Sequence, residues 1–331
     1  MPSLRQGSLH LFRVSGIDVF LHWSWFVLAV IEIGSRKGIY SSLAWNALEY
    51  LALFAIVLMH EFGHALACRQ VGGTVDRIML WPLGGVAYVS PPLRPGAMLW
   101  SLTAGPLVNA ALMPILYAAA LMSSSLGWAR SMPNAYQFLA TIQFINIWLL
   151  IFNMMPVYPL DGGQILRSLL WYVLGRARSL VVATGLGIAG GVGFILLALF
   201  ALWRRSEQGS EWLLLIAGYM LLNCWGGMKA ARALIRSEKL PRRQGFLCPG
   251  CGTAPAVGTH WKCPRCGQTF DTFETGAVCP LCKSQFSTTM CLECQQLRPM
   301  SEWIAGYYAS RGATSDASLA KHRQSEMPTS N

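Results

Sequence analysis

Long stretches without a charged residue constrain the fold of this chain more than any other feature. No Asp, Glu, Lys or Arg occurs between Arg94 and Arg130. A helix needs about 20 apolar residues to cross the hydrocarbon core of a bilayer, so this run is long enough. Only 12% of the residues are charged, whereas soluble domains carry about 25%. The sequence therefore predicts an all-α polytopic membrane protein.

Six apolar segments have the length of a membrane span. Their predicted bounds are 17–34, 45–68, 97–122, 134–155, 179–203 and 212–228. The first is interrupted by Asp18, His22 and Glu32. With a cytosolic N-terminus, 14 basic residues fall on the inside and 5 on the outside. The positive-inside rule then predicts a multi-pass protein of the cell membrane, in contact with membrane lipid, with both termini cytoplasmic.

Composition divides the chain into four parts. Residues 1–228 form the predicted membrane domain, 229–246 a basic linker, 247–299 a cysteine-rich region, and 300–331 a polar tail that we expect to be disordered. Between the second and third spans, residues 78–89 predict a short membrane-associated β-hairpin that turns at Gly84-Gly85. This hairpin could pair with an extended peptide, or could serve as a plain connector. Residues 156–178 predict an amphipathic helix at the membrane surface.

The second predicted span contains His60-Glu61-Phe62-Gly63-His64. Residues four apart on a helix share a face, so His60 and His64 can present two imidazoles to one metal ion. Glu61 then lies beside that ion, where it can act as a general base. Because polar side chains at membrane depth are expensive and usually functional, a chance occurrence of this pattern is disfavoured.

Catalytic zinc takes three protein ligands, so two histidines are not sufficient. The remaining candidates in the membrane part are Asp18, His22, Glu32, Glu49, Asp76 and Asp161. Asp161 is favoured because it follows the fourth span on the predicted cytosolic side, level with the histidines. The adjacent Gly162 and Gly163 would let the backbone approach an ion closely.

Three motifs in this order resemble the site-2 protease family of intramembrane zinc metalloproteases, particularly its compact bacterial branch. They are His60-Glu61-Phe62-Gly63-His64, Ala104-Gly105-Pro106-Leu107-Val108-Asn109 and the segment from Asn153 to Asp161-Gly162-Gly163. Leu83-Gly84-Gly85-Val86-Ala87 is also similar. The resemblance covers residues 8–230. It implies hydrolysis of a peptide bond in or near a transmembrane segment of a protein substrate.

By this resemblance, His60, His64 and Asp161 are zinc ligands and Glu61 is the catalytic glutamate. Asn153 matches an asparagine that polarises the scissile carbonyl or holds the substrate. A side-chain amide in a dry site can supply the donor that an oxyanion needs. A hydrogen bond between helices is the alternative role of Asn153, and we expect Asn109 to have such a structural role.

Eight of the ten cysteines form four Cys-x-x-Cys pairs near the C-terminus. The spacing predicts two four-cysteine zinc ribbons in a reducing compartment, with redox or iron binding as the alternative. We expect the first two pairs to bind one structural zinc and the last two pairs another. Together with the catalytic ion this makes three zinc ions per chain. The cysteines are Cys248, Cys251, Cys263, Cys266, Cys279, Cys282, Cys291 and Cys294.

The ribbons allow two kinds of partner. Trp261, Phe270, Phe273 and Phe286 lie near basic residues and could stack on nucleic acid bases. A module this small also needs aromatic residues for its own core, so a cytosolic protein partner is favoured over nucleic acid. The leading hypothesis is a zinc metalloendopeptidase. A catalytically inactive membrane adaptor that acts through its ribbons is the first alternative, and a zinc transporter is another.

Overall fold

The structure, a computed structural model, describes residues 7–36, 38–81, 84–204, 210–294 and 296–304. The chain divides into two compact units, Met1–Ala231 and Arg232–Asn331. Most of the tail that we expected to be disordered, residues 305–331, lies outside the described residues.

Apolar helices make up most of the first unit. Five of the described helices, α2, α3, α5, α6 and α7, are long and apolar enough to cross a membrane. They coincide with the second to sixth predicted spans, which are therefore confirmed as helices. The helices are α1 (Ser24–Ser35), α2 (Leu43–Gln70), α3 (Pro95–Ser125), α4 (Trp128–Ser131), α5 (Pro133–Met154), α6 (Asp161–Trp203) and α7 (Ser210–Glu238).

The prediction of a first helical span over residues 17–34 is wrong. Its first part is a β-strand, and its second part is α1, a helix of 12 residues. The strand forms because Ile17, Val19 and Leu21 are buried and alternate with less buried residues, which is the period-2 pattern of a strand. Asp18 and His22 belong to the other face of that strand, so they interrupt no helix.

The predicted hairpin is present as β3 and β4, within a larger sheet. The prediction that it turns at Gly84-Gly85 is wrong, because both glycines belong to β4 and pair with Trp81 and Leu80 of β3. The strand order is β1-β2-β3-β4, with β2 and β3 parallel and the other two pairs antiparallel. The core of the first unit lies where this sheet packs against α2, with Val57 and Ala65 among its buried residues. The strands are β1 (Ser8–Val14), β2 (Ile17–His22), β3 (Thr74–Trp81) and β4 (Gly84–Ser90).

Helix α6 contains the predicted fifth span and the predicted amphipathic helix, except for residues 156–160, which precede its start at Asp161. The two parts meet at Gly175, whose backbone angles of φ 78° and ψ 172° are not helical. A positive φ of this size is strained for residues with a side chain and is tolerated by glycine. Gly175 thus allows the chain to change direction between Asp161, at the start of α6, and the long apolar part that follows.

The second unit consists of short hairpins around small cores. Strand β5 (Trp261–Lys262) pairs with β6 (Thr269–Phe270), and β7 (Thr288–Met290) pairs with β8 (Leu297–Pro299). The expected linker over residues 229–246 is not a separate segment, because α7 continues to Glu238 and Phe246 packs against the core of this unit. The core also includes Trp303, which is fully buried, so the folded region extends beyond the predicted boundary at residue 299.

Candidate metal centre and catalytic site

Three side chains from two helices converge at one point. His60 and His64 lie on α2, and Asp161 is the first residue of α6. His60 Nε2 lies 3.1 Å from His64 Nε2. Asp161 Oδ2 lies 3.0 Å from His60 Nε2 and 3.3 Å from His64 Nε2. Both histidines are buried and the aspartate is nearly so.

Hydrogen bonds on the far side of each imidazole determine what these atoms can do. His60 Nδ1 lies 2.6 Å from Asn109 Oδ1, and His64 Nδ1 lies 2.8 Å from the Ser101 carbonyl oxygen. An oxygen of either kind accepts, so each Nδ1 carries the proton and each Nε2 presents a lone pair. Two lone pairs and a carboxylate therefore face one another at close range. This arrangement is repulsive unless a metal ion or an additional proton lies between them.

The spacing of the three donor atoms suits zinc. Zinc–nitrogen and zinc–oxygen bonds of about 2.0–2.1 Å in a tetrahedron place the ligand atoms about 3.3 Å apart. The observed separations of 3.0–3.3 Å are close to this value. A tetrahedron held by three protein atoms leaves one position free for water or substrate.

Two glycines make room for this arrangement. A Cβ atom on Gly105 of α3 would lie 2.3 Å from His64 Nε2 and 2.8 Å from His60 Nε2. A Cβ atom on Gly85 of β4 would lie 2.2 Å from Glu61 Cγ. All three separations are far below a normal van der Waals contact, so only glycine lets α3 and β4 approach the site this closely.

Glu61 is held by the backbone of the sheet. Its carboxylate is buried, and its Oε2 accepts a hydrogen bond of 3.0 Å from the Ala87 N–H of β4. This bond leaves Oε1 without a partner among the hydrogen bonds of the described residues. Glu61 and the three converging side chains line the same cavity of about 700 Å³. Asn153, near the end of α5, also lines it.

The other polar candidates in the membrane part lie elsewhere. Glu49 pairs with Arg36, whose Nε is 2.7 Å away, and accepts a hydrogen bond from Tyr40. His22 stacks on Trp81 with ring centroids 3.9 Å apart. Neither side chain lines the cavity.

Sequence reasoning missed part of the support for the histidines. Asn109 does link helices, as expected, because its Nδ2 donates to Asn146 Oδ1 at 2.8 Å. It also contacts His60 directly, which the sequence did not indicate. Ser101, Gly105 and Asn109 recur every four residues, so they lie along one face of α3. That spacing is the signal that could have identified them.

The cysteines form two clusters, but not the two that we expected. One cluster contains Cys248, Cys251, Cys291 and Cys294, and the other contains Cys263, Cys266, Cys279 and Cys282. The expected grouping of the first two pairs and the last two pairs is therefore wrong: the first pair joins the fourth, and the second joins the third. Similar spacings between successive pairs gave no indication of this nesting.

Aromatic packing explains the nesting. Phe246 precedes the first cysteine pair and Trp303 follows the last one. Each contacts Phe273, with ring centroids 5.1 and 4.9 Å apart. This contact brings the first and last cysteine pairs together around one core, while Phe270 packs in the core of the inner cluster. Trp261, Phe270 and Phe273 are buried, so they are packing residues and offer no stacking surface for bases.

The thiols are arranged as metal ligands rather than as disulfides. All eight thiols are free, and the Sγ–Sγ distances between neighbouring thiols are 3.6–3.7 Å. Zinc–sulfur bonds of about 2.3 Å in a tetrahedron give about 3.8 Å. Hydrogen bonds with the Ser284 side chain and backbone lower the pKa of the Cys282 thiol to about 6. The thiolate that zinc binds is therefore favoured at that position.

Two arginines of the expected linker are fixed to this unit by acidic residues, of which Asp271 is buried and Glu293 is partly buried. Arg243 Nη2 lies 2.6 Å from Asp271 Oδ2, and Arg242 Nη2 lies 2.7 Å from Glu293 Oε1. Burial raises the pKa of Asp271, but donation from the Gly258 amide, Arg243 and the Phe273 amide outweighs it. The pKa of this carboxyl therefore lies below its usual value.

Comparison with known proteins shows that the first unit is similar to zinc metalloproteases. The sequence profile of peptidase family M50 matches residues 49–137 and 129–199. A zinc metalloprotease of Methanocaldococcus jannaschii is 31% identical over 181 residues, which cover 54% of this chain and 50% of that protein. Stage IV sporulation protein FB of Bacillus subtilis is 30% identical over 172 residues, 50% of this chain and 54% of that protein.

The fold is also similar to a solved structure. The site-2 protease from Methanocaldococcus jannaschii aligns with a TM-score of 0.50 and 26% identity, covering 67% of this chain and 95% of that chain. The chain spans about half the length of the two curated relatives. The profile match includes both histidines, Glu61 and Asp161, the residues that converge in the cavity. Residues 49–199 of this chain, which carry all four of these residues, therefore match peptidase family M50, and the fold is similar to that of a site-2 protease.

Proposed function

We propose that this chain is an intramembrane zinc metalloprotease that hydrolyses a peptide bond within or near a transmembrane segment of its substrate. One observation carries the proposal: two imidazole lone pairs and a carboxylate converge beside a buried glutamate among membrane-length helices. His60, His64 and Asp161 would hold the zinc ion. Bound zinc polarises a carbonyl oxygen and lowers the pKa of a water molecule to about 7.

Glu61 is the general base in this proposal. The Ala87 N–H fixes Oε2, so Oε1 is the oxygen that takes a proton from the attacking water. The same carboxyl then returns that proton to the leaving amine nitrogen, which completes hydrolysis. Asn153 lines the cavity and can donate its amide to the developing oxyanion.

The sheet supports an extended substrate. Strand β4 is at the edge of the sheet, and Ala87 and Val89 of this strand line the cavity. A peptide lying along such an edge has its backbone exposed. A helical substrate does not, because its own turns shield the peptide bond. Unwinding of the substrate segment therefore precedes hydrolysis in this proposal.

Substitution of the base tests the proposal. Glu61→Gln keeps the shape of the side chain and should abolish cleavage of a co-expressed transmembrane substrate. Glu49→Gln is the matched control, because Glu49 is another buried glutamate of α2 and does not line the cavity. We expect it to cleave normally at a temperature where it is folded. Normal cleavage by Glu61→Gln would refute the proposal.

The cysteine clusters are proposed to hold two structural zinc ions and to present the second unit to a cytosolic protein partner. The burial of its aromatic residues supports protein over nucleic acid. An inactive adaptor would not require a buried glutamate fixed beside three converging ligand atoms. The site geometry therefore favours the protease.

We further propose six membrane crossings, with both termini cytoplasmic. Contacts with α2 support a first crossing made jointly by β2 and α1. Arg69 of α2 donates to the Ser15 carbonyl, and Glu49 of α2 pairs with Arg36. Twenty helical residues separate these two points of α2, which is about 30 Å, the thickness of the hydrocarbon core.

Strand β2 satisfies the requirement that backbone groups in lipid be paired, because it lies between β1 and β3. Reporter fusions test the topology. Green fluorescent protein at either terminus should fluoresce, and alkaline phosphatase at either terminus should be inactive. Active phosphatase at one terminus would indicate five crossings.

A further inference from the structure

Two buried asparagines connect α3 and α5 behind the metal centre. Asn109 and Asn146 are both fully buried, with 0% exposure. Asn146 Nδ2 donates to the Asn109 backbone carbonyl at 2.9 Å, and Asn109 Nδ2 donates to Asn146 Oδ1 at 2.8 Å. Fully buried amides at membrane depth are costly, so a pair of them requires an explanation.

The orientation of both amides follows from one backbone carbonyl. A carbonyl only accepts, so the group of Asn146 that faces it must be the NH₂ group. Asn146 Oδ1 then faces Asn109 and must receive its NH₂ group. The remaining atom, Asn109 Oδ1, is directed at His60, 2.6 Å from its Nδ1. Asn146 thus decides which end of the Asn109 amide His60 meets.

We propose that Asn109, locked by Asn146, is a positioning residue that holds His60 in the tautomer with Nε2 free for the metal. If the Asn109 amide were reversed, its NH₂ group would face Nδ1 and favour the tautomer with the proton on Nε2. The metal-facing lone pair would then be lost. The inference rests on the proposed function of this site, and it concerns metal affinity rather than the proton transfer.

The neutrality of Asn109 is also part of its role. Metal-bound histidines commonly donate to a carboxylate or a carbonyl, and removal of such a partner typically weakens metal binding about 10–100-fold. Asn109 supplies a carbonyl-type acceptor without adding a charge next to Asp161 and Glu61, the two carboxylates already buried in the cavity.

Zinc affinity of the full chain tests the proposal. We would measure it by competition with a chelator, subtracting the zinc retained by a His60→Ala/His64→Ala variant. Asn109→Leu, which has the same branching but no acceptor, should bind the catalytic zinc about 10–100-fold more weakly. Asn109→Asp retains an acceptor and should stay within about tenfold of the parent, closer than Asn109→Leu. Asn146→Leu should lose less zinc affinity than Asn109→Leu, because the freed Asn109 amide still adopts the orientation in which Oδ1 faces His60.

A role in packing alone predicts the opposite order. Leucine would then be tolerated, and a buried carboxylate would be the more harmful change. The matched control is Asn46→Leu, since Asn46 is a buried asparagine of α2 that donates to the Arg36 carbonyl and does not line the cavity. Its zinc affinity should stay within twofold of the parent, whatever its thermal midpoint.

Two results would overturn the proposal. One is a zinc affinity of Asn109→Leu within twofold of the parent, and the other is an equal loss of zinc affinity in Asn109→Leu and Asn109→Asp. Either leaves the proposed hydrolysis standing if Glu61→Gln is inactive. Conversely, normal cleavage by Glu61→Gln together with a selective zinc loss in Asn109→Leu would refute the protease and leave the positioning role intact.

Discussion

The nested grouping of the cysteines predicts how many zinc ions each cysteine variant retains. Sγ–Sγ distances of 3.6–3.7 Å join Cys248 to Cys294 and Cys263 to Cys282. Each cluster has four thiols within reach of one ion. Structural zinc sites are held by about 10–16 kcal/mol of apparent binding free energy. A site reduced to two or three thiols should therefore lose its zinc to a strong chelator.

Two double variants distinguish nested from sequential grouping, because each removes two thiols. In the nested arrangement, Cys263→Ser/Cys279→Ser disables one cluster and Cys248→Ser/Cys263→Ser disables both. The expected zinc content thus falls from three per chain to two in the first variant and to one in the second. Sequential grouping predicts the reverse, since Cys263 and Cys279 would then belong to different sites.

Metal analysis of purified protein after dialysis against the chelator measures this content. A parent protein with two zinc ions would contradict the proposed three sites. The reverse order of losses in the two double variants would refute the nested geometry. Equal losses would show that the two clusters are lost together, and the reasoning from separate cores would then fail.

Three other changes test the packing around the two kinds of site. Gly105→Ala should abolish zinc binding at the catalytic site, because its Cβ would lie 2.3 Å from a histidine nitrogen, whereas Gly185→Ala, with open space around it, should retain zinc. Trp303→Ala, at a fully buried position, should lower the unfolding free energy of the second unit by roughly 3–5 kcal/mol in denaturant titrations. Asp271→Asn removes the charged partner of Arg243 and should speed hydrogen exchange of residues 258–275. Because the pKa of Asp271 is lowered on folding, the contribution of this carboxylate is complete above about pH 4 and is lost only below that pH. The effect should therefore be constant from pH 6 to pH 8.

Local patterns allowed much of the fold and of the candidate site to be predicted. Uncharged runs marked five helices, and the i, i+4 spacing placed His60 and His64 on one face. The Gly84-Gly85 pair indicated the hairpin, although both glycines lie in β4 and not in the turn. Each of these signals lies within one element or one turn. The pairing of Asp161 with the histidines bridges about 100 residues, and it was inferred because few other carboxylates occur at membrane depth.

Non-local arrangements could not be predicted in this way. The first span was mistaken for a helix because apolar residues in a short strand and in a short helix give the same mean hydropathy. Its identity depends on pairing with β3, which is distant in sequence. The nested clusters depend on contacts between Phe246, Phe273 and Trp303. The Asn109–Asn146 pair depends on how α3 packs against α5, which spacing within either helix does not show.

The same asparagine pair allows stability and metal binding to be separated. Each single leucine variant leaves one polar atom of the pair buried without its partner, Asn146 Oδ1 in Asn109→Leu and Asn109 Nδ2 in Asn146→Leu, which costs about 1–3 kcal/mol. The double variant Asn109→Leu/Asn146→Leu replaces both partners by apolar groups of similar shape, so much of the lost stability should return. Zinc affinity should not return, because Asn146 acts on His60 only through Asn109. The double variant should therefore bind zinc as weakly as Asn109→Leu alone while unfolding at a higher temperature than either single variant. A zinc affinity reduced by the product of the two single effects would show that Asn146 reaches the metal by a route other than Asn109.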